Sequence, residues 1–478
     1  MNQPKSLFLI FTCTILTGCD PAVPGADDAP LGPFDPAGIQ PVATIQWTRL
    51  LGSTADDIAR GVAVAPDGSV YVTGTTEGDL GDKTNNSSSG RDVFLAKYDA
   101  NGTRQWVKLL GATHPGWTGE IPGKNAVGVD ADGRVYVTGW TRGGLPLVNG
   151  TGLIDGFVVK TNEMGNVLWA TLIGEPNGVT YIHDLIVGRD GLFVTGSTAA
   201  PGSSNAASLD VILAEIAPSN GHVTIRSVSG SSKDDVGIGI AMLEAGFPYP
   251  IIVGGTKGSM IGDNIGDIAN QGGWDLFTGM WRGPTAGVWT ATGLLRQLGS
   301  TSFDRGYDVA AYTTGSLTRA YTTGSSGTLP VLNIDNDGNI VWGEDSEPKS
   351  GVFLLKETFS PNGLNTVNWV RYLPPTLAQG AYGAVAADAA RGIFLTGGTQ
   401  ASFADDQNQG DFDIFLAGFH DNGSQPLARL FGTSAYDIGT DIALATNHLI
   451  YLVGSTEGNL DNNINAGVED AFVMCVSY

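Results

Sequence analysis

Val70-Tyr-Val-Thr-Gly-Thr-Thr76 alternates β-forming with small polar residues and ends on a glycine followed two residues later by threonine. The same ending recurs at Gly139, Gly196, Gly254, Gly324, Gly397 and Gly454, each closing a short β-type run and each followed two residues on by Thr or Ser. The intervals from Gly74 onward are 65, 57, 58, 70, 73 and 57 residues. Each has room for four short antiparallel strands and their turns, so a unit reads as one blade of a β-propeller and the array as one large domain.

The first unit shows the pattern best. Gly61-Val-Ala-Val64 is a short run, Pro66-Asp67-Gly68 is turn chemistry, and Val70 to Thr73 alternates. A polar loop follows, then a third strand, Asp92-Val-Phe-Leu-Ala-Lys97, a second turn, Asp99-Ala-Asn-Gly102, and a fourth strand from Trp106 to Leu110. Third strands are expected to begin near Phe157, Val211, Leu276, Val352, Ile414 and Ala471, and fourth strands to carry Trp169, Trp289 and Trp369. The chain ends at Tyr478 directly after a third strand, whereas Ile45-Gln-Trp47-Thr-Arg-Leu-Leu51 is a fourth strand with no first three before it. Each end supplies what the other lacks. The expectation is an all-β, seven-bladed β-propeller of four-stranded antiparallel blades over residues 43–478, in which residues 44–51 pair as the outermost strand of the blade formed by residues 437–478 and remove the open edges.

Residues 1–18 read as a signal peptide: Lys5 and the amino terminus are positive, Ser6 to Leu16 is apolar and too short to span a bilayer comfortably, and Leu16-Thr17-Gly18-Cys19 follows. That ending resembles the bacterial lipobox. The resemblance implies removal of the preceding peptide and acylation of Cys19, usually with a further chain on its new amino terminus, enough for stable anchoring in a membrane. Residues 19–42 then form a tether with six prolines between Asp20 and Pro41. At ~3.1 Å per residue it would hold the domain up to roughly 70 Å from the lipid. Cys13 leaves with the signal and Cys19 is taken by lipid, so Cys475 has no partner for a disulfide within the mature chain. Asp20 follows the enterobacterial rule for inner-membrane retention, but other bacteria sort differently. The expected location is the envelope, outside the cytoplasm, at the outer membrane or cell surface.

Charge narrows the partners. Lys plus Arg number 25 against 48 Asp plus Glu, a net charge of −23 that repels phosphate backbones, so no nucleic-acid partner is expected.

The spacing Gly52-x4-Asp57-x3-Gly-Val-Ala-Val, then Asp-Gly-x-Val-Tyr-Val-Thr-Gly-x-Thr, then Asp-x-Phe-Leu-Ala-Lys-Tyr-Asp-x-Asn-Gly-x3-Trp resembles the bacterial SBBP, or seven-bladed β-propeller, repeat. The resemblance runs over residues 44–478 and is weakest in the fourth unit, interrupted at Glu244-Ala-Gly-Phe-Pro-Tyr-Pro250, and in the fifth, with its long connection from Gly327 to Ser350. It implies a secreted or lipid-anchored bacterial protein and no particular catalytic mechanism.

In four-stranded blades the loops between second and third strands share one face with those leading to the next blade. The long connections 77–91, 257–273, 327–350, 400–411 and 457–469 all fall on that face, which is therefore the expected ligand face. Asp57, Asp235, Asp304 and Asp437 recur there at fixed spacing after the glycine that ends a fourth strand, and Asp92, Asp155, Asp210, Asp275, Asp413 and Asp470 open six third strands. Repetition suggests carboxylates that accept backbone N–H groups or a hydroxyl such as that of Thr76. The alternative is a cation at the channel mouth, for which oxygen ligands are suited. Trp117 and Trp140 are loop aromatics able to stack on a sugar or to pack between blades. With five His, none in a metal spacing, and no Gly-x-Ser-x-Gly elbow, neither catalytic residues nor a metal or other cofactor is expected. Asp99-x-Asn-Gly-x3-Trp106 also resembles a quinoprotein repeat, without the basic and metal-binding residues that go with it. The functional expectation is a non-enzymatic interaction or scaffold module, anchored by lipid, with an envelope protein or glycan as partner. The alternatives are a polysaccharide- or cation-binding surface protein, and an envelope hydrolase or lyase that gathers His, Arg or Tyr from separate blades.

Overall fold

A computed structural model describes the chain from Ala43 to Tyr478 apart from residues 81–90, 114–125, 143–144, 146–147, 149, 151–152, 190, 200–207, 244–248, 261–269, 271, 286–287, 292–294, 301, 330, 335–339, 344–348, 361–364, 374–382 and 404–405. Seven antiparallel sheets follow one another along the chain. Blade 1 comprises Asp57–Val64, Val70–Thr76, Arg91–Tyr98 and Arg104–Thr113, and blade 2 Val127–Val129, Val135–Thr141, Asp155–Thr161 and Val167–Ile173. Blade 3 is Val179–Val187, Leu192–Ala199, Asp210–Ile216 and Val223–Ser229. Blade 5 is Asp304–Thr314, Leu317–Leu329, Lys349–Phe359 and Asn365–Tyr372, and blade 6 Gly383–Asp388, Gly392–Thr399, Asp413–Phe419 and Leu427–Phe431.

Blade 7 joins the two ends of the sequence. Asp437–Leu444, Leu449–Thr456 and Asp470–Ser477 form its first three strands and Thr44–Leu51 the fourth, with Trp47 opposite Cys475, Leu50 opposite Phe472 and Leu51 opposite Ala471. The ring is therefore a seven-bladed propeller closed by its N-terminal strand. Apolar clusters fill the gaps between neighbouring blades: Val72 and Phe94 of blade 1 pack with Tyr451 and Val473 of blade 7, and Phe394 and Leu416 of blade 6 with Leu452 and Phe472 on its other side.

Blade 4 departs from the expected pattern. Its first three strands, Asp235–Leu243, Tyr249–Thr256 and Asp275–Thr285, are regular in order, but the fourth position is split. Trp289 lies in Val288–Ala291, paired with the extension of the third strand through Trp281 and Arg282, whereas Arg296–Leu298 pairs with the body of that strand at Leu276, Phe277 and Thr278. The long connection of blade 5 holds a hairpin of its own, Val331–Ile334 with Ile340–Gly343.

The glycine that defines the repeat has a steric cause. A Cβ on Gly74, Gly196, Gly254, Gly324 or Gly454 would lie 2.0, 1.9, 1.8, 2.0 or 1.9 Å from a carbonyl oxygen of its blade's own first strand. In each case that first strand carries a β-bulge one or two residues further on. The backbones approach too closely for any side chain at that point. Gly454→Ala is expected to cost about 3 kcal/mol or more, since the opposing group is backbone and has no room to move. An unchanged urea midpoint would contradict this.

Fourth-strand tryptophans latch three of the blades to the next. The indole N–H of Trp47 donates to Ala100 O at 3.1 Å, that of Trp169 to Pro218 O at 3.2 Å and that of Trp369 to Asp421 O at 2.9 Å, always in the turn between third and fourth strands of the following blade. The turn glycine beneath Trp47, Gly102, has φ +77°, and a Cβ there would press into the indole at 2.6 Å. Gly221 of the Asn220-Gly221 turn lies in the same way against Trp169, at 2.6 Å for an added Cβ, so the Asn-Gly turn and the tryptophan are two halves of one contact.

Candidate functional site

The face that carries the loops between second and third strands is built on a repeated polar core. Asp57, Asp235, Asp304 and Asp437 are fully buried at the start of their first strands. The Asp57 carboxylate accepts the Ser53 N–H at 2.6 Å and the Ser53 hydroxyl at 2.7 Å; Asp304 accepts the same pair from Ser300 at 2.6 and 2.7 Å, and Asp437 from Thr433 at 2.6 and 2.8 Å. Asp235 accepts the Ser231 N–H at 2.5 Å. A hydroxyl residue of the second strand lies opposite each: Thr76, Thr256, Ser326 and Thr456, the last two donating directly to Asp304 and Asp437. The third-strand aspartates complete the row, with Thr76 also opposite Asp92, Thr256 opposite Asp275 and Thr456 opposite Asp470.

Burial raises Asp57, Asp235, Asp304 and Asp437 above the usual carboxylate range, and bonds from the Ser or Thr partners work against it. In Asp210, Asp413 and Asp470 burial again raises the carboxyl, and in the first two an aspartate of the next blade adds to it. The glycine between two such carboxylates is forced. A Cβ on Gly230 would lie 2.2 Å from Asp210 Oδ1 and 2.8 Å from Asp235 Oδ2. In blades 1, 4, 5 and 7 these groups staple the entering loop to the sheet it enters. Among the described residues, no group of three or more His, Cys, Asp or Glu could hold a metal ion.

In blades 1, 4, 6 and 7 the loop above this layer is pinned by an apolar anchor that the sequence shows as Thr-x-Gly/Ala-x-apolar: Leu80, Phe403 and Leu460 are buried, and Met260 is half-buried. An asparagine closes the loop back onto the second strand, Asn408 Nδ2 donating to Thr399 O at 3.0 Å and Asn465 Nδ2 to Thr456 O at 2.9 Å. The loops of blades 6 and 7 share this scaffold and differ in what they present. Ile464 and Val468 are 82% and 63% exposed in blade 7, where blade 6 carries Gln407 and Asp411 at the equivalent positions.

Trp140 lies within the second strand of blade 2, half-buried, its ring edge-on to Tyr181 of blade 3 with centroids 5.5 Å apart. Trp117 and Cys19 lie outside the described residues. Sequence reasoning did not single out a group nearer the ring axis. His183, Arg305 and Tyr307 come from the innermost strands of blades 3 and 5, and Arg305 stacks over Trp274 with 3.9 Å from Cζ to the ring centroid.

The repeated staple, latch and glycine are all set within one unit by the clasp strand and the opening of blade 1. Residues 46–81 match SBBP, a beta-propeller repeat. The SBBP match thus takes in Trp47, the Ser53 and Asp57 staple, the Gly74 contact and the Leu80 anchor. A curated protein, the regulatory protein FlaEY of Caulobacter vibrioides, is 30% identical over 135 residues, which make up 27% of this chain and 13% of that protein's length. Among solved structures, a protein of unknown function from Dyadobacter fermentans is 9% identical over 91% of this chain and 99% of its own, with a TM-score of 0.42. The PQQ-bound aldose sugar dehydrogenase of Streptomyces coelicolor is 11% identical over 92% of this chain and 100% of its own, with a TM-score of 0.37.

Proposed function

We propose that this protein is a non-enzymatic interaction or scaffold module of a bacterial envelope, held to a membrane by lipid on Cys19 and presenting its long-loop face to an envelope protein or glycan. The observation that carries this reading is the division of labour on that face. The repeated aspartates and hydroxyls are engaged in stapling blades 1, 4, 5 and 7, while the exposed residues of the pinned loops differ between blades, as in Ile464 and Val468 against Gln407 and Asp411. Variable residues on a rigid repeated scaffold are the usual arrangement of a binding surface. The regulatory designation of the FlaEY relative is compatible with such a role, on the stretch the two chains share.

Pulldown from envelope extracts with the full chain and with Ile464→Asp/Val468→Asp tests this reading. The expected result is a partner retained by the first and lost by the second at unchanged melting temperature, and equal recovery by both would count against this face. The anchor is tested separately. Cys19→Ser should abolish fatty-acid labelling and release the protein into the soluble fraction, whereas a labelled variant would refute lipidation at that residue.

A further inference from the structure

The seam between blades 7 and 1 holds a surface cavity of about 500 Å³, lined by Arg49 and Leu50 of the clasp strand and by Tyr98, Gly102, Thr103 and Arg104 around the blade-1 turn between third and fourth strands. That turn lies on the face opposite the long loops. Part of the seam is the latch found at two others: where Arg49 Nε donates to Gly102 O at 2.9 Å, Arg371 Nε donates to Gly423 O at 2.8 Å and Thr171 Oγ1 to Gly221 O at 2.6 Å. Tyr98 and Arg104 do not repeat. The third strand that ends on Tyr98 in blade 1 ends on Phe419 in blade 6 and Ile216 in blade 3, and Gln425 and Val223 stand where Arg104 does, two residues past the turn glycine. Packing at the seam therefore needs neither a phenol hydroxyl nor a second guanidinium, and blade 1 supplies both.

Tyr98 is 2% exposed, and its hydroxyl makes no hydrogen bond among the described residues. A buried hydroxyl without a partner is costly, and a bound group would supply one. Tyr98 and Arg104 are directly opposed on neighbouring strands, so both side chains stand on the face of the blade-1 sheet that meets the clasp. The Arg104 residue is exposed, and its guanidinium forms neither a hydrogen bond nor an ion pair among the described residues. Arg49 is fixed at the other wall by Gly102 O, by Thr48 O at 2.7 Å and by Asn101 O at 3.5 Å. Asp99, the acid of the same turn, gives its carboxylate to the N–H groups of Asn101 and Thr103 and to Gln105 Nε2, at 3.0, 2.9 and 3.2 Å. Those bonds, with the one from Thr103 foremost, keep it below the usual carboxylate range, so one ionised acid stands against two guanidiniums. Burial raises the Tyr98 phenol, with the charges of Arg104 and Arg49 working against it, so the hydroxyl keeps its proton and can donate. The side chains thus offer the cavity donors: two guanidiniums, a phenol and the Thr103 hydroxyl. A carboxylate has two oxygens for them, whereas a phosphate ester has three and matches an arginine fork bidentately. The phosphate would fill only part of the cavity, leaving room for a body of sugar size beside Leu50.

We propose that the clasp seam binds a small phosphate monoester of sugar size, its phosphate oxygens taken by the Arg104 and Arg49 guanidiniums and the Tyr98 hydroxyl. This site is separate from the long-loop surface and needs no macromolecular partner. The net charge of −23 opposes approach to an anionic membrane surface, which favours a free phosphate ester over a lipid headgroup. Calorimetric titration of the full chain with glucose 6-phosphate and, in parallel, with glucose tests it. The expected result is saturable binding of glucose 6-phosphate and none of glucose. Tyr98→Phe and Arg104→Gln install in blade 1 the residue types that blade 6 carries at Phe419 and Gln425, so each should fold and bind about tenfold more weakly. Absence of saturable binding of glucose 6-phosphate would overturn the proposal, as would equal binding of glucose or full affinity in either variant. Sedimentation of the Cys19→Ser chain with phosphatidic acid vesicles, in place of glucose 6-phosphate binding, would assign the site to a headgroup and overturn it too. Because the first readout uses the unaltered protein, it stands even if a variant fails to fold.

Discussion

Acidification should stabilise this protein: its melting temperature is expected to be several degrees higher near about pH 5 than near about pH 8 at constant ionic strength. Burial raises Asp57, Asp210, Asp235, Asp304, Asp413, Asp437, Asp470 and Glu469 in the folded state. A carboxyl so raised binds its proton more tightly when folded than when unfolded. Its contribution is fully present below the unfolded aspartate value of 3.8 and is lost as pH rises through the folded value. The charge of −23 at pH 7 acts in the same direction, because protonation relieves self-repulsion.

His183 and the lowered carboxyls Asp67, Asp99 and Asp421 oppose the trend. His183, held neutral down to about 3, is protonated more readily in the unfolded chain, so it withdraws stability as pH falls below its unfolded value of 6.5. Asp421 is lowered: burial is outweighed by bonds from Lys356 and Tyr321, and its contribution disappears only in stronger acid. Eight raised carboxyls against one histidine give net stabilisation on the acid side, and His183→Phe should enlarge it. A melting temperature that falls steadily from about pH 8 to about pH 5 would show that the carboxylate layer is not buried as described.

Deleting residues 43–52 should destabilise the entire domain, while deleting 20–40 should leave it nearly unchanged. The first deletion removes the fourth strand of blade 7, with Leu51 buried and Trp47, Leu50 and Ile45 packed against two apolar clusters, and it breaks the indole latch to Ala100 and the bond from Arg49 to Gly102 O. At ~1.5–3 kcal/mol for each large apolar side chain returned to water, the loss is about 5 kcal/mol or more, a fall of about 5 °C or more for a domain of this size. The residues before Ala43 carry no such strand pattern. Equal melting temperatures for the two truncations would contradict closure by the clasp.

Much of this fold was legible in the sequence, because its signals are local and repeated. Alternation fixed the third strands at Asp92, Asp155, Asp210, Asp275, Asp413 and Asp470, and the unpaired strand at Trp47 fixed how the ring closes. What escaped reading depends on contacts between units. The latch joins Trp169 to Pro218, the Asp184 carboxylate accepts the Ile240 N–H of the next blade, and neither Pro218 nor Ile240 is marked by spacing within its own repeat. The bulges at His183 and Tyr307 are single-residue slips, which an alternating pattern with both faces buried hides. In blade 4, Trp289 resembled the other fourth-strand tryptophans, but the third strand runs on through Gly283, and the body of the fourth strand is supplied by Arg296–Leu298. The loop anchors Leu80, Phe403 and Leu460 were visible as a repeat and lay inside segments that polarity marked as variable.

Disulfide trapping across the clasp tests closure most directly. Trp47 and Cys475 are opposite one another and pack into the same apolar cluster, so Trp47→Cys in a chain with Cys13→Ser and Cys19→Ser places two thiols on facing strands. Folding under oxidising conditions should link the two peptides and consume the Cys475 thiol. A folded variant in which Cys475 remains a free thiol would show that the N-terminal strand does not close the ring.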